Sequence, residues 1–132
     1  MNLESPKIKL EKSQLEVFNF LAKVENFEKI MPESIEKFEN LDEDSFLFQL
    51  KGMPVLKLIL KEKTASSQII LGAKSDKLPF KLIANIEEVD ASTSEMQLLF
   101  EGEFNAMMSM MIKSPIQKFI NSLSENLKKV LA

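Results

Sequence analysis

The chain has 132 residues, 45% of them hydrophobic and 28% charged, with a formal net charge of −3. One domain spanning 1–132, with its own core, is the expectation at this length. The absence of Cys, His, Arg, Tyr and Trp excludes disulfides, thiolate and imidazole chemistry and guanidinium clamps, and with no lysine stripe the negative balance excludes a nucleic-acid partner.

In chain order, Lys7 to Lys12 alternates, with Ile8 and Leu10 on one side, and predicts a first strand. Ser13-Gln14-Leu15-Glu16 is a capping box that opens a short helix through Val17, Phe18, Phe20 and Leu21. A second short helical piece, Glu25 to Met31, stops at Pro32, because a proline disfavours helix at the residue before it. Ser34 to Leu41 then predicts a strand of open facing, since Ile35 and Phe38 have opposite parity. Clean alternation follows. Phe46, Phe48 and Leu50 precede a turn at Gly52-Met53-Pro54; Leu56, Leu58 and Leu60 precede one at Ala65-Ser66-Ser67. Ile69, Leu71 and Ala73 lead into a longer loop, Lys74 to Pro79, and Phe80, Leu82, Ala84 and Ile86 into Asp90-Ala91-Ser92. Met96, Leu98, Phe100, Gly102 and Phe104 close the series. Short connections between adjacent strands imply an antiparallel meander.

From Asn105 to Leu131 the period changes to three and four. Met108, Ile112, Ile116, Phe119, Leu123 and Leu127 share one face, which predicts a long amphipathic helix capped by Asn105 and bent near Ser114-Pro115. Ser114 and Pro115 would also suit the start of a separate second helix. The fold class expected is α+β, a curved seven-stranded antiparallel sheet around a long C-terminal helix, with two short helices between strands 1 and 2.

That order, with Met31-Pro32 after the helix pair and a proline-interrupted final helix, resembles the helix-grip superfamily (SRPBCC: START lipid-transfer domains, birch-pollen-allergen-type proteins and polyketide cyclase/dehydrase-like proteins) over essentially the whole chain. Glu28-Lys29-Ile30-Met31-Pro32 and Gly52-Met53-Pro54 make it most similar to small stand-alone bacterial members. The resemblance implies a cavity between sheet and helix for a small hydrophobic or amphipathic molecule, lipid-like, isoprenoid or aromatic. It implies no reaction, because the fold hosts carriers, sensors and enzymes alike.

Under that resemblance the cavity lining would come from Phe46, Phe48, Leu56, Leu58, Leu71 and Phe80 on the strands, followed by Leu82, Leu98, Phe100 and Phe104. The start of the helix would add Met107, Met108, Met111 and Ile112. The same positions serve equally well as a packed core. Met107, Met108, Met110 and Met111 crowd so closely that they point all around the helix; their flexible thioethers suit either core filling or an adaptable gate. Lys74, Ser75, Asp76, Lys77, Asn105 and Ser109 would lie near the mouth, as solvated loop or as headgroup anchor. The acidic groups Asp42-Glu43-Asp44, Glu87-Glu88 and Glu101/Glu103 read as turns and solvated surface, and no catalytic residue, metal site or cofactor is expected.

A non-enzymatic carrier or sensor is the leading expectation. The alternatives are a cyclase, dehydratase or isomerase with a carboxylate or lysine in the cavity, and a packed interaction module without ligand. On the outer face, Leu47, Ile59, Ile70, Ile83 and Leu99 would form one apolar row, a surface for a weak homodimer. With no signal-like N-terminus and no bilayer-length apolar segment, a cytoplasmic setting without integral membrane association is expected.

Overall fold

The computed structural model describes residues 1–73 and 80–132. The strands are β1 (Asn2–Glu4), β2 (Ile8–Leu10), β3 (Ile35–Asp42), β4 (Ser45–Leu50), β5 (Leu56–Thr64), β6 (Gln68–Ala73), β7 (Phe80–Asp90) and β8 (Thr93–Gly102). Two helices, α1 (Gln14–Ala22) and α2 (Ala106–Val130), and a 3-10 helix, Val24–Ile30, complete the element order. All strand pairings are antiparallel, in the order β1-β8-β7-β6-β5-β4-β3, and β2 also pairs with β8. This is the helix-grip arrangement, a seven-position sheet holding one long helix.

The first strand differs from expectation. Instead of one strand at Lys7–Lys12 there are two, β1 and β2, aligned along β8 with Leu3 opposite Phe100 and Ile8 opposite Met96. Pro6 has no amide hydrogen and breaks the ladder between them. Ser5 repairs the gap: its amide donates to the Leu98 carbonyl and its hydroxyl accepts from the Leu98 amide, both at 2.9 Å.

The parity conflict in β3 resolves through a bulge. Ile35 faces Leu50 and Phe38 faces Phe48, with an irregularity between Ile35 and Lys37. The extra residue turns Ile35 and Phe38 to the same side, opposite two inward partners. The rest of β3 is largely exposed and carries Glu36, Lys37 and Glu39, charges that blunt a sheet edge.

The outer apolar row does not form as expected. Ile70, Ile83 and Leu99 do pair in sequence. Leu47, however, faces Lys57, and Ile59 faces Ser45 and Gly72. A three-residue turn sets Thr64 opposite Gln68, and a bulge at Lys61 then moves the remaining β5–β6 pairs by one. Nor is the row exposed: Leu47 and Ile83 are buried, and Ile59, Ile70 and Leu99 are half-buried. The Lys61 stem contributes by lying across Gly72, where an added Cβ would stand 2.9 Å from its Cγ.

The inner face and the helices form one core. Ser13 accepts from the Glu16 amide and Glu16 from the Ser13 amide, the reciprocal cap of α1. Gln14 donates to the Ile86 carbonyl at 2.9 Å and ties that cap to β7. Helix α2 runs unbroken through Pro115, so Ser114-Pro115 does not begin a second helix. Proline there leaves the Met111 carbonyl without its usual helical donor. Ile112, Ile116, Phe119, Ile120, Leu123 and Leu127 are buried against the sheet and the short helices. Phe119 stacks on Phe48 with ring centroids 4.7 Å apart. Replacing it with Ala should cost about 3–5 kcal/mol of unfolding free energy by removing a filled ring from a close-packed interior; the denaturant midpoint measures this.

Candidate functional site

The interior divides by what fills it. Around the short helices, Phe27, Phe38 and Phe48 surround Phe46 with ring centroids 5.3–6.2 Å apart, and Phe119 completes the cluster. That end is solid. Toward the start of α2, Phe80 stacks on Phe100 at 5.4 Å and Phe100 on Phe104 at 6.3 Å. The Phe104 ring folds back over Gly102, whose missing side chain is what lets it lie there. A void of about 10 Å³ remains between this second cluster and α2. It is lined by Met53, Pro54, Leu56, Phe80, Phe100, Phe104, Met108, Ile112 and Ile116.

These facts sort the candidate lining residues. Leu56, Phe80, Phe100, Phe104, Met108 and Ile112 meet at the void. Phe46, Phe48, Leu58, Leu71, Leu82 and Leu98 are buried in the packed core away from it. Met107 and Met111 lie on the opposite face of α2 and are 75% and 66% exposed. Their displacement has a simple cause: with Met108 and Ile112 turned inward, the 3.6-residue period sends 107 and 111 out. Met53, Pro54 and Ile116 are the lining residues that strand alternation does not reveal. Two belong to a loop and the third follows from the helix face.

Among the described residues no polar side chain lines the void, whose volume is about that of one water-sized sphere. Among the described residues the buried polar side chains are Ser5, Asn26, Ser45, Ser94 and Ser124, with no Asp, Glu or Lys. Asp90 is the carboxyl group held below its usual range. The Ser92 amide donates to it at 2.9 Å and the Ser92 hydroxyl at 3.2 Å, in the exposed β7–β8 turn at the far end of β7 from the void. It locks a turn and touches no enclosed space.

The polar residues expected near the mouth do local work. Asn105 Oδ1 accepts from the Met108 amide at 2.8 Å and caps α2, while the Ser109 hydroxyl donates to the Phe104 carbonyl at 3.4 Å. Lys74, Ser75, Asp76 and Lys77 lie outside the described residues.

Two larger hollows are open to solvent. One, of about 720 Å³, lies over the outer face and end of the sheet between Lys61, Glu62, Lys81, Glu101 and Glu103. The other, of about 230 Å³, runs between α2 and the link into β3, beside Lys51, Ser114 and Lys118. Their charged groups are exposed, and neither hollow encloses a reacting position.

The anchoring of α2 is uneven. Of its seven buried residues, six follow Pro115, from Ile116 to Leu127; Ile112 alone precedes it. Asn126 donates to the Ile30 carbonyl at 2.9 Å and Gln117 to the Glu4 carbonyl at 2.8 Å, so the cross-links lie in the later part too. Among the described residues, the segment from Ala106 to Ser114 rests on Ile112, half-buried Met108 and the Asn105 cap.

No protein-family model matches the chain, and no curated protein matches it in sequence. Solved structures share its architecture. A START superfamily protein from Mycobacterium smegmatis is 12% identical with a TM-score of 0.74, over 98% of this chain and 96% of that one. A conserved protein from Geobacillus kaustophilus is 12% identical at 0.71, over 99% and 95%. Truncated norcoclaurine synthase from Thalictrum flavum is 7% identical at 0.77, over 98% and 92%. The likeness spans the whole chain and is one of fold.

Uneven anchoring has a measurable consequence. Amide hydrogen exchange should be faster over 107–114 than over 116–127, because local opening there exposes few buried side chains. Asn105→Ala should accelerate exchange in the first segment at a cost of about 1 kcal/mol and leave the second unchanged.

Proposed function

Proceeding from the helix-grip fold, we propose that this protein binds a small apolar molecule between the sheet and the first third of α2, as a carrier or sensor. The observation that supports this reading is the position of the residual void. It lies under the one part of α2 that is weakly held, and flexible or tilting side chains, Met53, Met108 and Phe104, form its rim.

The void as it stands admits no ligand; an aromatic ring needs a cavity on the order of 150 Å³. Entry therefore requires Ala106–Ser114 to swing outward. Exposing Ile112 and the buried part of Met108 costs roughly 2–5 kcal/mol. A ligand that covers the same apolar surface offsets that cost. Pro115 marks the natural pivot, since the helical hydrogen bond at that point is already missing. Unbranched thioethers on the rim repack around different shapes with little strain. An apolar lining without a buried charge suits an acyl, isoprenoid or aromatic group and disfavours a sugar or nucleotide.

An acid–base enzyme finds less support. The norcoclaurine synthases show that a helix-grip protein can be an enzyme, but among the described residues here no ionisable side chain is buried. The second reading is an interaction module with a filled interior, and the small volume of the void, about 10 Å³, favours it.

Thermal melting against a panel of fatty acids, isoprenoids and flat aromatics separates the two. A ligand at a hundredfold excess over its Kd should raise Tm by about 5–10 °C. Met108→Lys should remove that shift by placing an ammonium group at the rim. If no compound moves Tm, and native mass spectrometry of the purified protein finds no retained small molecule, the packed module is the correct reading.

A further inference from the structure

Met107, Met110 and Met111 are 75%, 83% and 66% exposed. Three large apolar side chains at positions i, i+3 and i+4 stand side by side on one helical face. That face is opposite the one formed by Ile112, Ile116 and Phe119, so folding gains nothing from the methionines. Val55, 40% exposed, belongs to the β4–β5 connection, whose Met53 and Pro54 touch the same void as Met108. By contrast, the five apolar residues on the outer face of the sheet are buried or half-buried. Among the described residues, the helix start carries the three most exposed large apolar side chains.

The charge around the patch has one sign along the helix. From Ala106 to Ser124, α2 carries Lys113 and Lys118 and no acidic residue, although the protein as a whole has a net charge of −3. Helix N-termini ordinarily favour Asp or Glu in the first turn; α2 has none there. Lys118 lies seven residues beyond Met111 on the same exposed face, and Lys51 borders the same groove as Lys118. Glu103, the nearest acid before the helix, lines the hollow on the outer face of the sheet.

We infer that this methionine face, flanked by Lys51, Lys113 and Lys118, docks the protein on an anionic lipid surface. Flexible apolar side chains with lysines beside them match a fluid interface of acyl chains under negative headgroups. A tight protein partner is less well matched, because the chain has none of the Trp, Tyr or Arg that dominate protein–protein hot spots. Docking lays the protein on the bilayer without crossing it; no described helix is long and apolar enough to cross. The inference stands apart from the interior site, since Met107, Met110 and Met111 do not line the void.

Vesicle co-sedimentation tests it, using phosphatidylglycerol-rich and pure phosphatidylcholine vesicles. The wild-type chain should sediment with the anionic vesicles and stay in solution with the neutral ones. The triple variant Met107→Ser, Met110→Ser, Met111→Ser should lose the association. The matching triple Leu variant, apolar but without sulfur, should keep it, and both should melt as cooperatively as wild type. Lys113→Gln with Lys118→Gln should weaken binding by roughly thirtyfold, and raised salt should weaken it too. The inference is overturned if wild type ignores anionic vesicles, binds neutral ones equally, or binds no better than the Ser variant. Sedimentation equilibrium without lipid supplies the other decisive outcome. A dimer that the Ser substitutions dissociate, with no vesicle binding, would assign the face to a second copy of the chain. An unchanged ligand-induced Tm shift in the Ser variant would keep this result separate from that of the interior site.

Discussion

The structure depends on the seating of the later part of α2 against the inner face of the sheet. An antiparallel sheet with one apolar face must cover it, and here Ile116, Phe119, Ile120, Leu123 and Leu127 provide most of the cover. At roughly 1.5–3 kcal/mol for each fully buried side chain, this contact is comparable with the whole net stability of a domain of this size. Other elements are fitted to it. The 3-10 helix ends where Asn126 reaches the Ile30 carbonyl, and β1 lies where Gln117 reaches the Glu4 carbonyl.

Because that contact is concentrated after Pro115, the chain has a firm end and a loose one. The firm end holds the stacked Phe27, Phe38, Phe46, Phe48 and Phe119. The loose end holds the void, the Phe80–Phe100–Phe104 stack and the methionines. Proline inside a helix ordinarily costs stability. Its position at the boundary between the two regimes fits a helix whose first third moves as a unit on an anchored remainder. Interior chemistry agrees with this division. Among the described residues no charge is enclosed, and what these offer a guest is contact and desolvation.

Surface hydrophobicity follows a related logic. On the outer face of the sheet the five apolar residues are buried or half-buried, and the Lys61 stem lies across Gly72. At the start of α2 there is no neighbouring strand to supply cover, and three methionines stay in water. Interior site and exposed patch therefore share the same short stretch of helix on opposite faces. A surface that engaged the outer methionines would bear directly on the segment that closes the void.

Period and turn chemistry alone determined the element order from Ser13 onward. Alternation identified the meander from β4 to β8, a period of three and four identified α2, and Ser13 with Glu16 marked the start of α1, because each of these signals is local. Composition alone also removed imidazole, thiolate and guanidinium chemistry. Tertiary structure decided what depends on register and volume. The bulge that aligns Ile35 with Phe38, the shift at Lys61 that breaks the outer row, and the additional strand Asn2–Glu4 before Pro6 arise from pairing with neighbours, which a single strand pattern does not encode. Whether the inward Phe and Leu enclose a cavity depends on how ring stacks fill space. Phe46 and Phe100 look alike in sequence, yet one lies in a solid block and the other borders the void. The methionines show the same limit, since their crowding is visible in the sequence but only the orientation of α2 decided that Met108 turns inward while Met107, Met110 and Met111 face the solvent.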